Sequence, residues 1–156
     1  MDFHKNKKLI GLLFVLALLA GWLFSQKVLA PLPLPAATLK INNSVIKVEI
    51  ATRPQTQYQG LSGRKSLEAN AGMLFDYTDK QIREFVMRNM NFPLDIIFIA
   101  DGKIINIAAN LTPEGAQPKE IYRSAQPVNQ VLEVNGGYCE KNGIKVGDQV
   151  LINQAL

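Results

Sequence analysis

Few side chains in this chain are able to do chemistry, and several of them fall in one short stretch. Arg88, Asn89, Asn91 and Asp95 surround Pro93. Arg88 with Asn89 offers a planar fork of donors beside an amide, a fit for a carboxylate or phosphate group. Asp95 opens an apolar run and offers a carboxylate as acid, base or ligand clamp. Arg64, just after Gly60 and Gly63, supplies a further anion contact. Glu133 is the one charged residue in Val131-Leu132-Glu133-Val134. Set opposite Asp95 at about 5–10 Å, it would complete a carboxylate pair for acid–base or glycosidic chemistry. Each residue also has an ordinary role open to it. Asp95 is equally read as a buried carboxylate paired with Arg88 or Arg64 and bonded to turn amides, since charges are seldom buried alone. Arg88 is equally a rim ion pair with Asn89 in a turn, and Glu133 a strand residue facing water. Glu49 and Arg53 read as solvent-facing or as a local pair.

Other chemistries are excluded by what is missing. The single histidine, His4, lies in the N-terminal tail, so the folded part has no imidazole for a triad or for most zinc sites. The single cysteine, Cys139, rules out an intrachain disulfide and has no base near it in sequence. Met73, Met87 and Met90 read as core filling rather than copper ligands. Asn135-Gly136-Gly137 lacks the lysine and spacing of a phosphate loop and reads as a turn, as does Gly147-Asp148. No metal site and no cofactor is expected. The net charge of +4 is largely a property of the tail: residues 1–30 hold four lysines and one aspartate, and the remainder 13 Lys/Arg against 12 Asp/Glu. Nucleic acid is therefore not an expected partner.

These residues need elements to position them. Apolar runs at 94–100 and 103–111 flank Asp101-Gly102, the strongest short hairpin signal, because both turn positions need positive φ. Isoleucines on both faces of these runs predict a core hairpin, with the polar cluster at its rim. Pro93 ends the preceding strand. Strands are also expected at 38–41 and 45–50 around Asn42-Asn43, at 72–75, at 82–87, at 130–134 and at 149–152. Residues 76–80 read as a turn and 112–127 as a long loop. A short helix is expected at 54–61, with Thr52 as N-cap and Pro54 near its start, and another at 138–142 stopped by Gly143. The fold class is mainly β with minor α: a small barrel-like or rolled antiparallel sheet with two short helices. Parallel βαβ units are not expected, because no helical segment of the folded part is long enough for a crossover.

Residues 1–30 form a segment of their own. Residues 9–24 carry no charge and follow a basic start. As a helix they span roughly 24 Å at about 1.5 Å per residue, between an export signal and a full membrane span. Val28-Leu29-Ala30 suits cleavage, but Pro31 directly after it makes a poor site. Trp22 and Lys27 suit an interfacial end. The segment reads as a retained membrane anchor with the domain facing outward, the alternative being a secreted or periplasmic domain after signal cleavage. Residues 31–37, with Pro31, Pro33 and Pro35, read as an extended spacer, and 38–156 as the β-rich domain.

Several motifs recur in a fixed order. They are Glu49-Ile50-Ala51 with Arg53-Pro54, Gly60-Leu61 with Arg64-Lys65-Ser66-Leu67, and Gly72-Met73-Leu74-Phe75. Phe85-Val86-Met87-Arg88-Asn89 then leads to Pro93-Leu94-Asp95-Ile96-Ile97-Phe98-Ile99 and Asp101-Gly102. The set ends with Val131-Leu132-Glu133-Val134-Asn135-Gly136-Gly137 and Gly143-Ile144-Lys145-Val146-Gly147-Asp148. In this order the chain resembles the family called domain of unknown function 192, or uncharacterised protein family 0127, from about Ile46 to Val150. The resemblance implies a small β-rich domain, often behind an export signal or anchor, and no known reaction. The chain departs from the family's pattern at Ser62-Gly63, where a Met and an aromatic are usual. It also has Val86 and Tyr138 where Trp is usual, and Met90 where Thr is usual. If those larger groups line a recognition surface, it is pared back here.

Three readings follow. The first is a binding module at the cell envelope whose rim of Arg64, Arg88, Asn89 and Asp95 takes a small anionic or polar ligand or an envelope component. The second is a histidine-independent envelope hydrolase or lyase using the Asp95/Glu133 pair. The third is a structural or assembly protein with no ligand. Binding calls for a pocket beyond what salt bridges need. Catalysis calls for both carboxylates in one cavity, and the structural reading for both fully satisfied.

Overall fold

Two hairpins set the frame. Asp101 and Gly102 take φ of 49° and 72°, and Asn42 takes 53°, the left-handed values that two-residue hairpin turns require. A computed structural model describes residues 33–154. The apolar segment 9–24, and with it the anchor or signal, lies outside the described residues. Among those described, no helix is long and apolar enough to cross a membrane.

The elements are β1 (Ala36–Ile41), β2 (Ser44–Ala51), α1 (Pro54–Gln59), β3 (Ala71–Gln81), β4 (Glu84–Phe85), β5 (Leu94–Ala100), β6 (Lys103–Leu111), β7 (Tyr122–Arg123), β8 (Val128–Asn135), α2 (Tyr138–Lys141) and β9 (Val150–Gln154). Seven strands form one sheet in the order β6-β5-β8-β3-β2-β1-β9, and β4 with β7 forms a small second ribbon. Lys103 bridges Gln149, and the Val150 N–H donates to the Gly102 carbonyl at 2.8 Å. The outer strands thus meet at one end, and the sheet curls into a half-barrel. A mainly β fold with a rolled sheet and two short helices is what forms.

The sheet is not wholly antiparallel: β2 and β3 pair in parallel, Val48 beside Gly72 and Ala51 beside Phe75. The expectation of no parallel unit is corrected here. A parallel return needs a dozen or more residues, not a long helix, and the connection between β2 and β3 is mostly loop around the six-residue α1. The predicted turn at 76–80 is instead part of β3, which runs on to Gln81 through an irregularity in its pairing with β8. The strand expected at 82–87 is reduced to the two residues of β4. The loop 112–127 contains β7, and β1 begins at Ala36, two residues earlier than read. Arg53 rather than Thr52 caps α1, with Thr56 bonded back to it.

Two apolar layers stabilise the sheet, each fully buried aliphatic side chain worth about 1.5–3 kcal/mol. One face carries Leu39, Ile46, Val48, Leu74, Ile97, Leu132 and Val134, closed by Tyr138 and Cys139 of α2. The other carries Met73, Phe75, Ile96, Phe98 and Val131, covered by Leu61, Met87 and Met90.

Asp95 fastens α2 to the first face. It is fully buried. Its Oδ1 accepts from the backbone N–H groups of Asn110 at 2.7 Å and Gly137 at 2.9 Å, and its Oδ2 from that of Cys139 at 2.8 Å. The expected partner arginine is absent. A carboxylate can be held by backbone donors alone when several converge on it. Burial, together with the negative charge of Asp95, pushes the Cys139 thiol well above its ordinary range, so this cysteine is inert.

Two substitutions test this frame. Asp95→Asn turns an amide donor toward backbone donors and should cost about 3 kcal/mol in urea denaturation; a loss below about 0.5 kcal/mol would remove the carboxylate from its structural role. Asp101→Val forces a β-branched residue to positive φ and should cost about 1–2 kcal/mol, which an unchanged melting curve would contradict.

Candidate functional site

The site begins at β8, which is bonded to β5 on one side and β3 on the other. Glu133 stands opposite Ile96 on β5 and Met73 on β3, while Asp95 stands opposite Val134. Cross-strand partners share a face and successive residues alternate. Glu133 and Asp95 therefore face opposite sides of the sheet. The carboxylate pair is not formed, and no reacting group fits between the two.

Glu133 does not face water either. It is 5% exposed, within the layer of Phe75, Phe98 and Met90. The crossover and the loops before β5 and after β6 cover this face, so a residue on the outside of the roll is still interior. Its Oε2 has no hydrogen-bond partner among the described residues. Burial pushes its carboxyl up to about 8, against the opposing pull of the Arg64 charge.

Glu133 lines a cavity of about 180 Å³. The walls come from four places. The α1 end and its loop give Tyr58, Gly60, Leu61 and Ser62; β3 gives Phe75 and Tyr77; β4 gives Glu84 and Phe85; the following loop gives Val86, Arg88 and Met90. Phe85 packs edge-on to Phe75 at 4.8 Å and to Phe98 at 6.1 Å, which fixes the ring that forms one wall. Gly60, at φ 50°, passes close to the cavity wall: a Cβ there would lie 3.3 Å from the Phe75 ring and 3.8 Å from Glu133 Oε2. Tyr58 stands at the mouth, 73% exposed.

Arg88 crosses that mouth. Its guanidinium lies 3.9 Å over the Tyr58 ring, and Nη2 donates to the Tyr58 carbonyl at 2.7 Å. The Ser62 hydroxyl donates to the Arg88 carbonyl at 2.8 Å, pinning the loop. No carboxylate among the described residues forms an ion pair with Arg88. Glu84, by contrast, accepts from Arg123 at 2.7 Å. Burial raises the Tyr77 hydroxyl, offset by Arg83 stacked 3.7 Å over its ring, with Glu133 adding a further upward push.

The four rim residues are thus dispersed. Arg88 lines the cavity. Arg64 is a neighbouring charge, held to Glu49 by two bonds of 2.5 and 2.8 Å. That bond lowers the Glu49 carboxyl and raises the arginine, so Glu49, read as solvent-facing or paired locally with Arg53, is paired with Arg64 instead. Asn89 is exposed at φ 52°; its carbonyl accepts from Gly63 at 2.9 Å and its N–H donates to Gly115 at 3.2 Å, so it ties two loops. Asp95 belongs to the opposite face. Sequence reading missed the aromatic walls: Phe75 and Tyr77 of β3 and Phe85 of β4, with Tyr58 brought to them by the crossover. Of the four departures from the family pattern, three line the cavity: Ser62, Val86 and Met90. Among the described residues, no three His, Cys, Asp or Glu side chains gather as metal ligands would.

Comparisons place the chain. Residues 37–152 match the family pattern of domain of unknown function 192, described as Uncharacterized ACR. No curated protein matches. Two crystal structures are similar. One is a candidate transcription regulator from Sinorhizobium meliloti 1021, 30% identical over 79% of this chain and 98% of that one, with a TM-score of 0.73. The other is a protein of unknown function from Novosphingobium aromaticivorans DSM 12444, 34% identical over 78% of this chain and 89% of that one, with a TM-score of 0.71. With the expected order of motifs on a matching half-barrel, the chain belongs to the domain of unknown function 192 family.

Proposed function

We propose that this domain is a binding module at the cell envelope, and that its ligand is a small polar molecule held in the cavity between Arg88 and Glu133. The observation that carries the reading is Glu133: a buried carboxylate with an unpartnered oxygen on the wall of a cavity. Such a group is costly unless something completes it. A side chain that opposes folding this strongly is better explained by a ligand than by the scaffold. Asp95, whose bonds are complete, serves the scaffold. A purely structural protein would leave both carboxylates satisfied, and a two-carboxylate enzyme would set them in one cavity; neither fits. Placement at the envelope rests on the basic start and the apolar stretch 9–24.

Ligand binding is tested by titrating a fragment library of mixed charge into the full-length chain in mild detergent and following amide NMR signals. Saturable shifts at Tyr58, Ser62 and Val86, lost in Arg88→Ala, are expected. A library that moves none of them would end the binding reading. Protease treatment of spheroplasts and of lysed cells should cut the domain in both if it faces outward across the inner membrane; protection in spheroplasts alone would end the envelope placement.

The glutamate also makes a pH prediction. Its folded value of about 8 lies above the ordinary 4.5. Between those values the folded state holds a proton that the unfolded state has lost. The contribution is fully present below about pH 4.5 and is lost as pH rises through 8, a change on the order of several kcal/mol. Glu133→Gln should therefore match the native chain near pH 5 and exceed it near pH 9 in urea denaturation. An equal difference at both pH values would show that the carboxyl is not held protonated.

A further inference from the structure

The cavity holds two charge-bearing groups that the protein leaves without an opposite. Glu133 has an oxygen with no partner, and Arg88 has no carboxylate within ion-pair distance among the described residues. Both line the same cavity, yet they form no ion pair with each other. The third charged residue of the lining, Glu84, is already neutralised by Arg123. Glu133 is the buried end and Arg88 the partly exposed end. Phe75, Tyr77 and Phe85 line the same cavity, and aromatic ring faces attract cations. From this arrangement we infer that the ligand is a small zwitterion of amino-acid type, its ammonium group bound to Glu133 among the aromatic rings and its carboxylate to the Arg88 guanidinium.

The inference rests on the cavity being a binding site, as proposed above. Size limits the ligand. Water takes about 30 Å³ in the liquid, so a cavity of about 180 Å³ has the room of roughly six waters. That suits a short aliphatic amino acid. An arginine fork donates to both carboxylate oxygens and leaves the ligand's chain pointing inward.

Binding of this kind moves a proton. Near neutral pH the buried Glu133 carboxyl is largely protonated, and an arriving ammonium group favours its ionised form. The proton leaves to solvent and the ammonium keeps its own. The charged and titratable groups around Glu133 are Tyr77 on β3, Tyr58 and Arg64 on the crossover, Glu84 on β4, and Arg88 on the next loop. Glu49 on β2 acts through Arg64. Of these, Arg64 favours ionisation of Glu133 and is itself held by Glu49.

The test uses the full-length chain in mild detergent with 4-aminobutyrate and 5-aminovalerate, and with butylamine and butyrate as single-ended controls. Calorimetry near pH 7 in two buffers of different ionisation enthalpy reads both affinity and proton release. At least one zwitterion should bind about tenfold or more tighter than either control, releasing up to one proton. Glu133→Gln should weaken the zwitterion and abolish the release while leaving the fold intact by circular dichroism. Arg88→Lys should weaken the zwitterion and leave butylamine nearly unchanged. Butyrate binding as tightly as the zwitterions, or a Gln variant that binds as the native chain does, overturns the inference. If neutral or anionic fragments shift the cavity signals and the amines do not, the zwitterion falls and the binding site stands. If no fragment of any charge does, both fall.

Discussion

β8 is hydrogen-bonded along both edges, so its side chains have only two directions open to them. That constraint organises the molecule. Leu132 and Val134 go to the closed side of the roll, with Leu74, Ile97 and α2. Val131 and Glu133 go to the other side, beneath the crossover and the loops. A one-residue slip of this strand would exchange the two sets. It would put a carboxylate into the barrel and a leucine into the cavity. The neighbouring strand obeys the same alternation, which is why Asp95 and Glu133, near each other along the sheet, have separate environments.

The two carboxylates show how environment decides a role. Both are buried, and neither forms an ion pair. Asp95 is met by three backbone N–H groups, one from Asn110 near the end of β6 and two from Gly137 and Cys139 at the start of α2, so its oxygens are matched by oriented donors. Glu133 meets rings, thioethers and aliphatic groups, and its only electrostatic help is the Arg64 charge, which Glu49 already engages. One is part of the fastening of α2. The other keeps an unpartnered oxygen inside an apolar layer, at a cost to the fold.

Local signals in the sequence were informative where the structure is local. Asp101-Gly102 and Asn42 specify their turns because few residues accept positive φ. Gly143 marks the end of α2 for the same reason, at φ 64°. The parallel pairing of β2 with β3 carries no such mark, because a strand's sequence does not say which neighbour it meets. Glu133 was visible as a charge in an apolar strand. Its burial was not, since alternation gives only the face, and the cover over that face comes from residues dozens of positions away. Asp95 was legible as a buried carboxylate but not its partners, because backbone N–H groups belong to every residue.

The walls of the cavity are unequal in one respect. Its floor is sheet: Phe75 and Glu133 stand on central strands whose other face is packed. Its sides are connecting chain: Tyr58, Ser62, Val86, Arg88 and Met90 lie on segments that the barrel does not need for its own pairing. Substitutions on those segments reshape the opening without shifting a strand register. The cavity's outline can thus change with its collar while Phe75 and Glu133 stay fixed by the sheet.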